Sequence, residues 1–466
     1  MGITESKAGS PTGPRLVAGP TPLAKPSPAS VTPKTPADSL QIQGAGASQP
    51  LGWVHVQGTQ LVDESGKPVS VRGVNLGGWL VQEPWMMPLA STSQGAPAIK
   101  DQTTLWQTVA NRFGASEMNK IRDAYRSAWL SDADFANMKA AGITTVRVPF
   151  TYADLQEPDG YKWLDWEIQE ASKHGLYTIL DLHGAPGGQS SAMHTGQADQ
   201  NQFFKNPADV QKAAQMWQDL AKRYANNPAV LGYDLLNEPM GAQSTQQLYQ
   251  AQNALYQAIR QVDPKHVIFF EDGYKGVDTF PDPKQYGWKN VAFSIHQYDF
   301  NGTSDQQLKA LQSTLNKVKG VEKKLNVPVY IGEFNMPGTD EKTISKAVGA
   351  LNDAKVPWTM WTYKVVTTGS SDKSVWGLYR NTPPVQGLDV AHDTEAQMLA
   401  KIDQMRTENL QAVPGEIAMF QHEPSASLGY SSWQLFTSRI GDGLSAAWNQ
   451  VHAWSAGLGA KIKQLI

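Results

Sequence analysis

Short apolar runs rich in β-branched residues recur along this chain with helical patterns between them, and this alternation limits the fold more than any other feature. The runs that we interpret as strands cover residues 69–75, 144–150, 177–183, 230–237, 267–272, 291–296, 329–333 and 358–363. Between them lie amphipathic stretches, such as residues 208–224, 246–262 and 308–325. Strands that alternate with helices predict a parallel sheet, and eight of them predict closure into a (β/α)8 barrel, an α/β fold. An open, doubly wound sheet is the alternative, but no G-x-G-x-x-G sequence follows the first strand to favour it.

Further segments are predicted around the barrel. Residues 1–50 contain nine of the 29 prolines and no aromatic residue, so we expect a disordered Pro-rich segment with too little apolar surface to fold. Apolar residues around turns at Gly58 and Gly66 predict an N-terminal β-hairpin. Residues 393–408 fit the last barrel helix. We therefore divide the chain into a disordered segment (1–50), a barrel domain (51–408) and a helical C-terminal extension (409–466).

The extension contains apolar residues at three- and four-residue steps over 444–465, which predict an amphipathic helix. We expect this helix to dock on its own barrel. A helix that binds a partner or a membrane surface is the alternative.

Charge and cysteine content exclude several classes of function. The 40 basic and 43 acidic side chains nearly cancel, to a net charge of −3, so there is no electrostatic reason to expect nucleic acid as a partner. The chain has no cysteine, which excludes disulfides, thiolate nucleophiles and metal–thiolate sites. The first residues lack the basic start and apolar run of a signal peptide, and no run of about 18 apolar residues predicts a transmembrane span.

Polar side chains accumulate where the predicted strands end. They are Arg147 in the second run, His183 at the end of the third, Asn237 and Glu238 at the end of the fourth, His296 and Tyr298 at the end of the sixth, Glu333 at the end of the seventh and Trp361 in the eighth. The carboxyl ends of all strands in a closed barrel lie on one rim, so residues far apart in sequence can share a pocket. A single Glu after a strand is usually a solvated surface residue, but this many polar residues in the same register predict an active site.

The pair Glu238 and Glu333 has the chemistry to cleave a glycosidic bond. One carboxyl group donates a proton to the departing oxygen, while the other, ionised, attacks the sugar or activates water. Arg147 and Tyr298 are expected to donate hydrogen bonds to Glu333 and keep it ionised. Asn237 is expected to hold a sugar 2-hydroxyl, a contact that strengthens in the transition state.

The histidines allow two interpretations. His183 and His296 are expected to orient carboxyl groups or sugar hydroxyls, and an ordinary buried, hydrogen-bonded histidine is the alternative for each. The nine histidines are dispersed along the chain, without an H-E-x-x-H sequence or an Asp-rich loop. We therefore expect no metal site.

The order of these residues resembles the signature of glycoside hydrolase family 5. The matching sequences are Val-Arg-Val-Pro around Arg147, Asp-Leu-His-Gly around His183, Asn-Glu-Pro at 237–239, His-x-Tyr at 296–298, Gly-Glu-Phe at 332–334, and Trp361. Residues 72–85 (RGVNLGGWLVQEPW) and 181–189 (DLHGAPGGQ) are similar to the exo-β-1,3-glucanase branch of that family. The resemblance covers about residues 53–405. Each short match is weak by itself, but the occurrence of all of them in the same order makes the resemblance strong.

The resemblance implies a (β/α)8 enzyme that hydrolyses β-glucosidic bonds with retention and needs no cofactor. Carried over by motif, Glu238 is the acid/base and Glu333 the nucleophile, and Glu83 matches a carboxylate that binds hydroxyls of the terminal glucose in the exo-acting branch. The other carried-over residues line the subsite of the reacting sugar: Arg147, His183, Asn237, His296, Tyr298 and Trp361. The expected substrate, β-glucan or a β-glucoside, implies an extracellular or cell-surface location; a cytoplasmic one is the alternative because no signal peptide is visible.

The resemblance leaves the substrate open. Phe334-Asn335 stands where fungal exo-glucanases usually have Trp-Ser, and residues 189–194 resemble theirs only in part. The alternatives are an endo-β-1,4-glucanase, a β-glucan transglycosylase and, from a different class, a non-catalytic carbohydrate-binding protein on the same scaffold. The 15 tryptophans include five candidate sugar platforms, of which we expect two to face sugar and the others to lie in the core: Trp79, Trp85, Trp163, Trp288 and Trp376.

Overall fold

The computed structural model describes residues 50–92, 95–369 and 376–421. The described part begins with the predicted hairpin, in which β1 (Val54–Gln57) pairs antiparallel with β2 (Gln60–Asp63). The predicted disordered segment and the predicted amphipathic helix over 444–465 lie outside the described residues, apart from Pro50. Within the described residues, none of the helices is long and apolar enough to cross a membrane.

Eight strands of the described part form a closed, all-parallel barrel in the order β10-β3-β4-β5-β6-β7-β8-β9. They are β3 (Arg72–Asn75), β4 (Thr145–Thr151), β5 (Tyr177–Gly184), β6 (Val230–Asp234), β7 (Val267–Glu271), β8 (Val291–Gln297), β9 (Val329–Phe334) and β10 (Trp358–Met360). The barrel closes because β10 pairs with both β3 and β9. The strands are apolar and buried on both faces, as helix-covered parallel strands must be. The predicted (β/α)8 barrel is therefore confirmed.

Helices cover the outside of the barrel. Those of the described part are α1 (Gln102–Phe113), α2 (Ala115–Trp129), α3 (Asp132–Ala141), α4 (Tyr152–Leu155), α5 (Lys162–Lys173), α6 (Pro207–Tyr224), α7 (Thr245–Arg260), α8 (Ser304–Leu325), α9 (Glu341–Asp353), α10 (Glu395–Asp403) and α11 (Pro414–Gln421). The alternation did not predict α1 and α2, which lie in the long connection after β3. The connection from β7 to β8 contains two short 3-10 helices (Val277–Thr279 and Pro283–Gln285) instead of an α-helix.

The hairpin closes the amino-terminal end of the barrel. Val54 and Leu61 of the hairpin share one buried cluster with Phe269 and other inward-facing strand residues. The Val56 amide donates to Asn290 Oδ1, just before β8, at 2.7 Å. This end is filled by apolar side chains, so the carboxyl end is the one left to bind a ligand.

Several predicted elements end earlier than the sequence pattern suggested. The strand expected over 358–363 ends at Met360, so that Trp361 lies just beyond it. The strand expected over 230–237 ends at Asp234, so that Asn237 and Glu238 lie in the loop that follows it. The helix expected over 393–408 is α10, which begins after Thr394 because Thr394 and Gln397 form a reciprocal capping box.

The packed body continues beyond residue 408. A small sheet joins β11 (Lys364–Val365), β12 (Tyr379–Arg380) and β13 (Gln411–Ala412). Helix α11 follows, and its Phe420 ring contacts Trp358 of β10, with ring centroids 5.2 Å apart. Arg380 of β12 pairs with the buried Glu416 of α11 at 2.6 Å.

Candidate active site

Arg147, in the middle of β4, is the centre of the polar cluster at the carboxyl end of the barrel. Its guanidinium is completely buried. Its nitrogens contact oxygens from five other strands or the loops after them, at 2.8–3.1 Å: Asn75, Asp181, Asp234, Asn237, Glu271 and Glu333. Burial alone would lower the pKa of Arg147, but the surrounding carboxylates raise it well above its usual value. The cluster therefore has a permanent positive charge at its centre.

Glu333 lies in β9 with a donor on each carboxyl oxygen. Arg147 Nη1 donates to Oε1 at 2.8 Å, and the Tyr298 hydroxyl donates to Oε2 at 2.9 Å. Both contacts fix the orientation of the carboxyl group. Glu333 is 5% exposed, so it is accessible only from the pocket at the barrel rim.

Glu238 follows β6, in a left-handed backbone conformation with φ of 42°. The loop is held from two sides, because the Glu238 amide donates to Glu271 Oε2 at 2.7 Å and the Asn237 amide donates to the Leu182 carbonyl at 3.0 Å. A left-handed conformation is unfavourable for a residue with a long side chain, and it persists only where the surroundings fix it. Here it turns the Glu238 carboxyl group toward Glu333.

Two hydrogen bonds reach the same oxygen of Glu238. The Tyr274 hydroxyl lies 2.5 Å and His296 Nδ1 2.9 Å from Glu238 Oε1. Burial by itself raises the pKa of Glu238, but the hydrogen bond from His296, the nearby histidine charges and the Tyr274 hydroxyl outweigh it, so the pKa lies well below its usual range. The carboxyl group is therefore ionised in the empty site at neutral pH.

His296 lies between three carboxyl groups. Its Nδ1 is 2.9 Å from Glu238 and 3.5 Å from Glu333, and its Nε2 is 3.2 Å from Glu271. Burial opposes protonation of the ring, but Glu271 and the two other glutamates raise the pKa of His296 well above its usual value. His296 is thus the second permanent cation of the site.

His183 and Trp361 form one wall of the pocket. Their rings stack with centroids 5.5 Å apart and an interplanar angle of 15°. His183 Nδ1 lies 2.7 Å from Asp181 Oδ2, and burial lowers the pKa of His183 to about 3, so the ring is neutral. A Cβ atom at Gly77 would lie 2.8 Å from the Trp361 ring, so the glycine in this loop lets Trp361 pack against the backbone.

Glu83 lies across the pocket, just before a 3-10 helix (Pro84–Met86). The Trp85 indole donates to Glu83 Oε2 at 2.9 Å. Burial raises the pKa of Glu83 to about 8, and the charges of Glu333 and Glu238 act in the same direction. Trp85 packs in one apolar cluster with Trp361 and Tyr298, so Glu83 lies at the same rim as the central pair.

Two of the five candidate sugar platforms lie at this rim. Trp85 contacts Trp376 with ring centroids 5.3 Å apart, and Trp376 in turn contacts Tyr298 at 6.0 Å. The other three belong to the core or its edge. Trp79 is completely buried and packs against Trp163, and Trp288 stacks on Phe270 at 3.9 Å, where the missing helix between β7 and β8 would lie.

The structure brings all nine predicted site residues together at one end of the barrel. Residues that the sequence did not single out complete the cluster: Asn75, Asp181, His194, Asp234, Glu271 and Tyr274. Three of these had a usable signal, because Asp181, Asp234 and Glu271 are acidic residues inside apolar strands and a buried carboxylate needs a partner. His194 and Tyr274 lie in loops, where no periodicity indicates which residues face the site.

Acidic groups of this site are already paired with side-chain cations. Asp181, Asp234 and Glu271 converge with oxygens within 4.8 Å of one another, and Arg147 contacts all three. Glu238 and Glu333 converge in the same way on His296, which is protonated. Arg147 thus pairs with all three carboxyl groups of the first set, and in the second set a protonated imidazole has no free nitrogen lone pair to offer a metal ion.

Comparison with known proteins identifies a matching family and several similar proteins. Residues 115–365 match the sequence model of the family described as cellulase (glycosyl hydrolase family 5). The chain is 29% identical over 349 residues to a β-xylosidase of Phanerodontia chrysosporium, a match that covers 67% of this chain and 71% of that protein. It is 29% identical over 299 residues to a probable glucan 1,3-beta-glucosidase A of Aspergillus niger, covering 60% of this chain and 68% of that protein.

A solved structure supports the same fold. The rutinosidase from Aspergillus niger superimposes with a TM-score of 0.54 at 19% identity, over 66% of this chain and 92% of that chain. At this identity the likeness concerns the barrel architecture alone.

Proposed function

The chain belongs to glycoside hydrolase family 5, and we propose that it removes terminal glucose from β-1,3-glucan or β-glucosides with retention, with Glu333 as nucleophile and Glu238 as acid/base. One observation carries the proposal: the two glutamates bring carboxyl oxygens within 4.8 Å of each other. Carboxyl groups in retaining glycosidases are about 5–5.5 Å apart, whereas inverting enzymes need about 6.5–9.5 Å to admit a water molecule. An approach within 4.8 Å between one oxygen of each group fits the shorter separation and supports direct attack by Glu333.

In the first step, Glu333 attacks the anomeric carbon while the bond from that carbon to the leaving oxygen breaks. The proton on Glu238 moves to the leaving oxygen, so the aglycone departs as an alcohol and a glucosyl–Glu333 ester remains. Arg147 and Tyr298 hold the attacking carboxylate in place. Since Glu238 is ionised in the empty site, the acid form required here is favoured at acidic pH.

In the second step, a water molecule attacks the same carbon and the ester bond to Glu333 breaks. The water proton moves to Glu238, which is now the base, and glucose leaves with its original configuration. The donors on Glu238 Oε1 favour the ionised form that this step requires. A second sugar in place of water would give transglycosylation, the alternative outcome of the same intermediate.

Glu83 supports exo action. A buried carboxyl group facing the central pair from the loop after β3 can accept hydrogen bonds from the hydroxyls at the far end of a terminal sugar. Such a residue closes the pocket beyond one sugar unit. Relatives named glucan 1,3-beta-glucosidase support β-1,3-glucan as the substrate, and the relative named β-xylosidase makes an aryl xyloside the necessary comparison substrate.

The glutamate roles are tested with two variants. Glu333→Gln should lower kcat on an aryl β-glucoside by on the order of 10⁴-fold, because the amide cannot form the glucosyl ester. Glu238→Ala should retain turnover of 2,4-dinitrophenyl β-glucoside in the presence of azide and release β-glucosyl azide, because this leaving group needs no proton and azide needs no base. Glu64→Gln, in the exposed turn that follows the hairpin at the opposite end of the barrel, is the matched control and should keep full activity.

Full turnover by Glu333→Gln would overturn the nucleophile assignment. Formation of α-glucosyl azide by Glu238→Ala would overturn the double displacement. Exo action is tested separately on laminarin: glucose as the sole early product supports it, and a ladder of oligosaccharides would contradict it.

A further inference from the structure

His194 has no role in the mechanism above, yet it is buried beside the proposed acid/base. It belongs to a short 3-10 helix (Met193–Thr195) after β5 and is only 8% exposed. Its Nε2 lies 3.4 Å from Glu238 Oε2, and among the described residues it has no hydrogen-bond partner in the empty site. A buried donor is almost always paired, so this nitrogen points to a function in the pocket.

The hydrogen bonds behind His194 determine which of its nitrogens carries the proton. Arg147 has only donors, so Asn237 Oδ1, 3.0 Å from Arg147 Nη2, must accept. The Asn237 amide therefore directs its Nδ2 donor toward His194 Nδ1, at 3.2 Å. Nδ1 accepts this bond, and the ring proton is on Nε2. Burial lowers the pKa of His194 to about 4, so the ring is neutral above that pH.

The two oxygens of Glu238 have different surroundings. Oε1 is occupied by the Tyr274 hydroxyl at 2.5 Å and by His296 Nδ1 at 2.9 Å. Oε2 faces His194 Nε2. Because Oε1 already has two donors, Oε2 is the oxygen left to exchange a proton with the glycosidic oxygen and with water.

The segment that carries His194 is fixed by backbone contacts. A Cβ atom at Gly184, the last residue of β5, would lie 2.2 Å from the Thr195 carbonyl oxygen, so the segment packs directly on the strand. The amide and hydroxyl of Thr103 both donate to the Gly196 carbonyl, at 3.0 and 2.8 Å. These contacts hold the imidazole at its distance from Glu238.

We propose that His194 is a positioning residue for Glu238: its Nε2–H donates to Oε2 of the ionised carboxylate and so sets the pH at which Glu238 holds its catalytic proton. The inference rests on the proposed function, since it assumes that Glu238 is the acid/base. Other titratable groups also act on Glu238, and all are retained in a His194 variant: Glu83, Asp181, His183, Glu271, Tyr274, His296, Tyr298 and Glu333.

The test is the pH profile of kcat/KM for phenyl β-glucoside, whose leaving group needs the proton. The alkaline limb reports the loss of that proton from Glu238 in the free enzyme. His194→Leu removes a donor to the ionised form, so the pKa of Glu238 should rise and the limb should move to higher pH by about half to one pH unit. His194→Gln places an amide N–H near the former Nε2 and should keep the limb at the wild-type pH.

A uniform fall of kcat/KM with an unshifted limb would overturn the inference, because it would mean a structural role. A higher KM with an unshifted limb would overturn it in favour of a contact to substrate only. A shift of equal size in His194→Gln would show that the N–H is not responsible, and would also overturn it.

A second measurement on the wild-type protein does not depend on the folding of any variant. Long-range proton–nitrogen NMR of the ¹⁵N-histidine-labelled protein should show His194 as the neutral Nε2–H tautomer, assigned by its disappearance in His194→Gln. The Nδ1–H tautomer would overturn the inference. Failure of the proposed function would be seen separately, as absence of β-glucoside hydrolysis by the wild type or of azide rescue in Glu238→Ala.

Discussion

Each side chain in this site has its own contacts, so its contribution to activity can be measured separately. Glu333 receives one donor on each oxygen: Arg147 Nη1, which belongs to the buried charge cluster, and the Tyr298 hydroxyl, which reaches in from the end of β8. Arg147 cannot be removed without leaving several carboxylates unpaired. Tyr298 can be changed with little effect on the fold, because it lies at the rim.

Tyr298→Phe should therefore lower kcat/KM by about 10- to 100-fold, since the hydroxyl donates to and orients Glu333, the proposed nucleophile. Steady-state kinetics on an aryl β-glucoside measure this loss, and the melting temperature should stay near that of the wild type. Phe300→Leu, at the exposed end of the same aromatic stack, is the comparison variant and should change kcat/KM much less. Equal activity of Tyr298→Phe and wild type would contradict the assigned contact.

The low pKa of Glu238 predicts an acidic optimum. The proposed first step needs protonated Glu238, and the protonated fraction falls as pH rises above its pKa, which His296 and Tyr274 hold below the usual range. We expect kcat/KM for phenyl β-glucoside to be at least about tenfold higher at pH 5 than at pH 8. 2,4-Dinitrophenyl β-glucoside needs no proton donor and should lose much less over the same interval. A pH profile that stays flat to pH 8 with the phenyl substrate would be inconsistent with this account.

Among the elements, helix α5 and strand β5 enclose a carboxyl group that the mechanism does not use. Glu167 is completely buried, and within the described part of the chain its hydrogen-bond partner is the Thr178 hydroxyl, 3.2 Å from each oxygen. Burial raises the pKa of Glu167 to about 8. Between its unfolded pKa, near 4.3, and about 8, the folded chain binds this proton while the unfolded chain releases it, so stability falls as pH rises through that window.

Glu167→Gln removes this titration. The free energy of unfolding of the variant, measured in urea, should fall less between pH 5 and pH 8 than that of the wild type, by on the order of 1–3 kcal/mol. Exposed Glu64→Gln serves as the control and should keep the wild-type slope. Parallel pH dependences for wild type and Glu167→Gln would disprove the buried neutral carboxyl.

Helix α11 stabilises the barrel although it follows the last barrel helix. Phe420 is 1% exposed and packs on Trp358 of β10. Phe420→Ala should lower the free energy of unfolding by about 3–5 kcal/mol, through lost burial and the cavity left behind. The neighbouring exposed residue supplies the control, since Gln421→Ala should change stability by less than about 0.5 kcal/mol. A loss below about 1 kcal/mol for Phe420→Ala would mean that α11 is not part of the packed body.

At the scale of the whole molecule, the barrel could be predicted from the sequence. Each of its eight buried strands requires an apolar run, and few other folds require eight such runs. The same register placed Glu238 and Glu333 at one rim, since both follow or end parallel strands. Helices α1 and α2 were not predicted, because they are inserted in a single connection and are not part of the repeating strand–helix alternation. The positions of His194 and Tyr274 in the site were not predicted, for a related reason. Loop residues are placed by tertiary contacts such as those of Gly184 and Thr103, which local sequence patterns do not encode.

Direct attack of Glu333 on the sugar requires that the product keep the anomeric configuration of the substrate. The most direct measurement is proton NMR of the anomer that is released first from a β-glucoside, recorded before mutarotation equilibrates the product. A retaining double displacement by Glu333 and Glu238 predicts β-glucose as the first product. The α-anomer as the first product would contradict the account.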